Sequence, residues 1–216
     1  MTFKKNIMKT QLTTSINFIS RKARLYAFII GAILILPVFA FSQQSDGPVS
    51  TATNNQVNPA MATDGSGGTI IAFQDKHNGK YEIYAQRMNA SGNPLWTTNG
   101  IAICTLDSNL NPIVVSDGVG GAIISWQSYR GSATADIYAQ RISSTGTVLW
   151  ALNGVPVCSV VFYYYTISMI SDGTGGAIFT WQDYRSNNGF ADVYAQRVNN
   201  LGAMLWVANG VSVCNQ

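Results

Sequence analysis

The stretch "SDGTGGAIFTWQDYR" at residues 171–185 sets a glycine-rich run directly before an apolar run. Two near-copies of it occur in the same chain, "SDGVGGAIISWQSYR" at 116–130 and "TDGSGGTIIAFQDKH" at 63–77. Whether such a run cradles a ligand or turns the chain decides the fold. A phosphate-cradling loop opens a helix, whose N-terminal N–H groups meet the anion. The apolar residues that follow here have no helical periodicity, and neither G-x-G-x-x-G nor G-K-[ST] is present. A single Asp falls far short of the alternating carboxylates of an EF-hand. The run therefore reads as a tight hairpin turn that uses the positive-φ freedom of glycine, the alternative being a weak carbonyl-lined Ca²⁺ position.

Working outward from the turn, the chain lines up with itself in three copies at a period of 53 to 56 residues. Asp64, Asp117 and Asp172 begin the turns, and Phe73, Trp126 and Trp181 each follow nine residues later. "YAQR" recurs at 84–87, 138–141 and 194–197, then Trp96, Trp150 and Trp206, then "NG" at Asn99, Asn153 and Asn209, then Cys104, Cys158 and Cys214. Length varies in two places only, between the first aromatic and the "YAQR" arginine and between the cysteine and the next Asp-Gly. Constant spacing implies packed strands; the two variable places are loops.

Each copy predicts four short strands joined by turns, in the middle copy 111–116, 121–127, 136–143 and "TVLW" at 147–150. Four antiparallel strands in a repeat of about 50 residues point to a propeller blade rather than a solenoid turn. Blades stack face to face, which explains why "AIISW" and "AIFTW" are apolar on both sides instead of alternating. The expected fold class is all-β and β-propeller-like, with three four-stranded antiparallel blades and repeats at about 46–98, 99–152 and 153–216. Three blades do not close a ring, since propellers use about four to eight. Residues 46–59 align without gaps to 99–112, so the first repeat begins inside a unit. Two readings follow: the chain is the N-terminal piece of a longer propeller, which is preferred, or two chains pair into a six-bladed ring. Either way, uncovered apolar blade faces predict self-association or missing blades.

The combined pattern "SDGxGGAIxxWQDYR…DIYAQR…G…LW…NGVxVC" resembles the tandem repeats of large secreted bacterial surface proteins that carry a type IX secretion sorting domain, over essentially all of residues 46–216. The resemblance implies secretion and a β-propeller-like fold, usually without an enzymatic activity. The 216 residues do not contain that sorting domain.

Composition agrees with export. The chain is 47% hydrophobic and 11% charged, enough for one sizeable core. Lys4, Lys5, Lys9, Arg21, Lys22 and Arg24 precede the uncharged run "LYAFIIGAILILPVFAF" at 25–41, the n-region and h-region of a signal peptide over residues 1–42. Ala40 and Ser42 stand at the small positions of a cleavage site after Ser42, and no Cys follows to accept a lipid. The apolar run is long for a signal, so an uncleaved membrane anchor stays open. Without those residues, seven basic groups face ten acidic ones, which removes the clustered positive charge that nucleic-acid binding needs.

Candidate chemistry is sparse. Equivalent cysteines on neighbouring blades lie beyond the roughly 7 Å Cα limit for a disulfide, so Cys104, Cys158 and Cys214 are expected reduced and buried. They have no histidine partners for zinc. His77, the single histidine, takes the place of Arg130 and Arg185 and is expected in an exposed loop. Asp75, Asp136, Asp183 and Asp192, with Arg130 and Arg185, offer the residue types of a glycosidase. They recur blade by blade, however, whereas an acid and a base need unlike environments. Asp183 near Arg185, and the arginine of each "YAQR", read instead as repeated hydrogen-bonded tethers between strands. No cofactor or catalytic residue is implied. The third copy alone replaces "TLDSNLNPI" by "SVVFYYYTI", placing Phe162, Tyr163, Tyr164 and Tyr165 in a row beside the loops that carry Tyr129, Arg130, Tyr184 and Arg185. All length variation falls at one end of the blades, often the binding face of a repeat fold, and aromatics there suit a carbohydrate or protein ligand. The alternative is that these aromatics fill packing between blades. The expected function is an exported, non-enzymatic binding or scaffolding protein at the cell surface. A glycan-processing, sialidase-like propeller enzyme and a nonfunctional fragment are the alternatives.

Overall fold

The computed structural model describes residues 47–214 except 54, 78, 131–133, 161–163 and 187, with Tyr164 and Tyr165 described by backbone alone. The signal-peptide expectation for residues 1–42, and Phe162 and Tyr163, lie outside the described residues.

Twelve strands and no helix make up the described residues. The first blade holds β1 (Gln56–Thr63), β2 (Thr69–His77), β3 (Lys80–Met88) and β4 (Ile101–Cys104). The second holds β5 (Ser108–Ser116), β6 (Ala122–Tyr129), β7 (Asp136–Ile142) and β8 (Val155–Cys158). The third holds β9 (Tyr164–Ser171), β10 (Ala177–Asp183), β11 (Asp192–Val198) and β12 (Val211–Cys214). Each blade is an antiparallel sheet in simple sequence order, which is the propeller-like, partial-ring architecture expected.

The glycine-rich run is a turn. Asp117 Oδ1 accepts the N–H groups of Val119 and Gly121 at 3.0 and 2.8 Å, closing the β5–β6 hairpin. Gly118 and Gly120 have φ of 80° and 88°, which favours glycine at both. Asp64 and Asp172 cap their turns in the same way.

The fourth strand departs from expectation. "TVLW" contributes only the single bridge between Ile142 and Val148; the ladder resumes at β8, where Ala139 pairs Val155 and Ile137 pairs Cys158. Between them the chain bulges through Asn153 and Gly154, both at positive φ. Gln140 fills the gap this leaves in the ladder. Its fully buried amide donates to the Ala151 carbonyl at 2.7 Å and accepts the Trp150 N–H at 2.9 Å. Gln86 and Gln196 repeat both bonds. The glutamine of each "YAQR" is thus a piece of surrogate backbone, needed because an interior N–H or C=O must find a partner.

The core lies between blades. Ala122, Ile124 and Trp126 of β6 join Ile70, Ala72, Ile83 and Ile103 of the first blade. Ile123 of the same strand joins Phe179 and Trp181 of the third. A central strand apolar on both sides is the consequence of being covered on both sides.

Candidate functional site

Polar side chains that recur in every copy are consumed by the scaffold. Arg87, Arg141 and Arg197 each clamp the Asp of their own turn, with Nη2 to Oδ2 distances of 2.8, 2.8 and 2.9 Å. Between them the two oxygens of each Asp take two backbone N–H groups and one guanidinium, so the carboxylate is coordinated by donors rather than open to a cation. Hydrogen bonding from the Ser66 N–H holds the Asp64 carboxyl below its ordinary range, with Arg87 reinforcing it against burial. Burial opposes ionisation of Asp172, but the Thr174 N–H and the Arg197 guanidinium bring it down to about 2.

The same arginine latches blades together. Arg87 Nη1 and Trp96 Nε1 both donate to the Ser144 carbonyl of the second blade, at 2.9 and 3.1 Å. Arg141 and Trp150 repeat this on Asn200 of the third, at 3.1 and 3.0 Å. A second latch runs in the same direction: Asn153 and Asn209 accept the backbone N–H of Thr105 and Ser159 of the preceding unit, each at 3.0 Å. These bonds explain the fixed spacing of "YAQR", "LW" and "NG".

Asp183 and Arg185 form the tether the sequence suggested. Asp183 Oδ2 accepts from Arg185 Nε and from Trp181 Nε1, both at 2.9 Å. Burial works against this carboxylate, yet those donors keep its pKa lowered. The guanidinium lies 3.8 Å from the Tyr194 ring centre and donates to the Asn209 carbonyl. Arg130 does likewise over Tyr138 and onto Asn153. Both arginines therefore turn inward across their own blades.

Asp75 takes a hydrogen bond from Gln56, and Asp192 is buried. Asp136 has its pKa raised by burial, partly offset by Arg130. Asp136 and Asp192 face Ser128 and Asp183 across their ladders. His77 is at the end of β2 rather than in an exposed loop, because β2 and β3 pair as far as His77 and Lys80. It is half-buried against Tyr84, in the ring-facing place that Arg130 and Arg185 hold.

Cys104 and Cys158 form no disulfide and are buried, as expected, and burial raises the Cys104 thiol pKa. Cys214 is free but exposed. The reason is positional: the first two cysteines are covered by the next blade, and among the described residues no blade follows the third.

The variable loops share one end of the molecule. Lys80, at the β2–β3 turn, reaches Asp107 in the β4–β5 connection at 3.3 Å. Tyr129 and Tyr184 are half-buried there. Tyr164 opens β9 opposite Asp183. Phe190, which sequence reading passed over, is 61% exposed in the β10–β11 loop, and Leu106 is 44% exposed in the β4–β5 connection. The available signal was that "SNNGFA" is the longest of the three loops, one residue longer than "GSATA" of the second copy, and carries an aromatic that "GSATA" lacks. No family model matches this chain, and a search of curated proteins finds no match.

Proposed function

We propose that this chain is an exported, non-enzymatic repeat protein that binds or scaffolds at the cell surface, with the variable-loop end as its contact. One observation carries the reading. The polar residues common to the copies are engaged in turns, ladders and latches, whereas Phe190, peculiar to the third copy, is exposed in a loop whose length varies, at the end of the blade where Tyr164 opens β9. An exposed aromatic beside polar backbone suits stacking on a sugar ring or insertion into a partner protein. The basic and apolar leader, and the resemblance to surface-protein repeats, support export.

Arg185 belongs to the scaffold by its contacts, so its alanine variant reports folding, and the binding test uses Phe190→Ala and Tyr164→Ala. Immobilised glycans and intact bacterial envelopes are the probes. Binding that Phe190→Ala reduces at least tenfold, at an unchanged melting temperature, is the expected result. No binding to either surface overturns the contact reading. Release of reducing sugar from the glycans would favour the glycan-processing alternative instead. Export is tested separately, by N-terminal sequencing of secreted protein, which should begin at Gln43.

A further inference from the structure

The three blades carry equivalent residues on the face turned toward the next repeat, but their burial differs. Ile137 is fully buried, Val157 is 2% exposed and Trp150 is 8% exposed. Their counterparts in the third blade, Val193, Val213 and Trp206, are 37%, 62% and 38% exposed. The latch donors are present there too. Arg197 holds Asp172 through Nε and Nη2, while its Nη1 and the Trp206 Nε1 have no turn carbonyl to meet among the described residues. The face keeps both the apolar surface and the directional donors of an interface that the molecule forms twice elsewhere.

The opposite end of the stack shows what such a face fits. Residues 47–53 run along the first blade without joining a sheet. Thr51 donates its N–H to Asn99 Oδ1 at 2.8 Å, as Thr105 does to Asn153 and Ser159 does to Asn209. Val49 lies beside Ile71 and Phe73 in a hollow of about 180 Å³. This segment, "GPVST", sits where the fourth strand of a preceding blade sits in the other two interfaces. It is a strap that stands in for β12 of another unit.

We propose that the exposed face of the third blade docks on the first blade of a second copy of this chain, and that the strap at 47–53 competes for the same seat. The established blade-to-blade interface then continues across the two molecules, with Val213 of one chain taking the place of Val49 of the other. Docking of this head-to-tail kind closes a ring or extends a filament according to the rotation between copies. An exposed apolar face is otherwise a liability in water.

Cys214 supplies the readout, because docking would bury it as Cys104 and Cys158 are buried. The purified full chain is alkylated with iodoacetamide over a hundredfold range of protein concentration, with mass determined in parallel by sedimentation. Val49→Asp, which loosens the strap, should slow Cys214 labelling at high concentration at least fivefold and raise the associated fraction. Val213→Glu should make labelling concentration-independent, and its position at 62% exposure leaves the fold intact. The leader is common to every variant, so differences between them report the face. Labelling that stays concentration-independent in wild type and in Val49→Asp overturns the proposal. So does association that Val213→Glu leaves unchanged, which would assign it to the leader or another surface.

Discussion

The second and third blades are near-copies in sequence and differ in what lies beside them. β6 has a neighbour on each face and buries Ile123, Ile124 and Trp126 completely. Of the equivalent run in β10, Phe179 and Trp181 are buried toward the second blade, while Ile178 on the opposite face is only half-buried. The lesson is that stability in this fold belongs to interfaces between repeats as much as to repeats, the behaviour expected of a quasi-one-dimensional stack.

The strongest test of that contrast is the Asp–Arg clamp. Asp117→Ala leaves Arg141 with a side chain only 13% exposed and no counter-ion, so a loss of about 3–5 kcal/mol is expected in urea unfolding. Asp172→Ala frees Arg197, already 35% exposed, and should cost clearly less. Equal losses would mean that the third blade is as buried in solution as the second. Apolar truncation should split the same way. Ile137→Ala is expected to cost about 2–5 kcal/mol, whereas Val213→Ala at 62% exposure should stay within about 0.5 kcal/mol in dilute protein.

Smaller effects sharpen the comparison inside each blade. Trp181 Nε1 donates to Asp183, but the second blade has Ser128 at that place, and Trp126 Nε1 is buried without a partner among the described residues. Trp181→Phe therefore abandons a charged acceptor and should destabilise by about 1–3 kcal/mol, while Trp126→Phe also removes an unmet donor and should cost less. The first blade already carries Phe73 at this site. Matched thermal unfolding of the two variants decides it. Smallest is the β-bulge: Asn58 and Asn111 occupy φ of 51° and 53°, and the third blade places the β-branched Thr166 at 54°. Thr166→Asn should stabilise by about 1 kcal/mol, since asparagine tolerates this left-handed region and threonine resists it. An unchanged or lower melting temperature would show that the backbone there is not strained.

Much of this was legible in advance because repetition repeats its own physics. A turn that occurs three times with Asp at one end and an apolar strand after it has one economical explanation, and β-strand periodicity, blade count and the Asp183–Arg185 tether followed from it. The fourth strand was misplaced because "TVLW" has strand propensity while the residues that pair in the middle copy, "VPVC", are only four and include a proline. Only the glutamine of "YAQR" closing the ladder gap makes that bulge tolerable, and a long-range side-chain bond leaves no local signal.

The candidate contact was half visible. Variable length and the tyrosine run located the end of the blades, but Arg130 and Arg185, also offered as ligand contacts, fell to the scaffold only once their rings and carbonyls were in place. Phe190 carried no sequence signal beyond its place in a longer loop. Exposure is a property of neighbours, and neighbours come from the fold.

Sequence alone determined the repeat, its all-β class and its hairpin turns, because these depend on local backbone preference and on the period of apolar residues. The tertiary structure decided which face of each blade is covered, that Cys214 is exposed while its two equivalents are not, and that residues 47–53 take the seat of a missing strand. Those are contacts between residues about 50 positions apart, whose energies depend on distance and burial that no local pattern encodes.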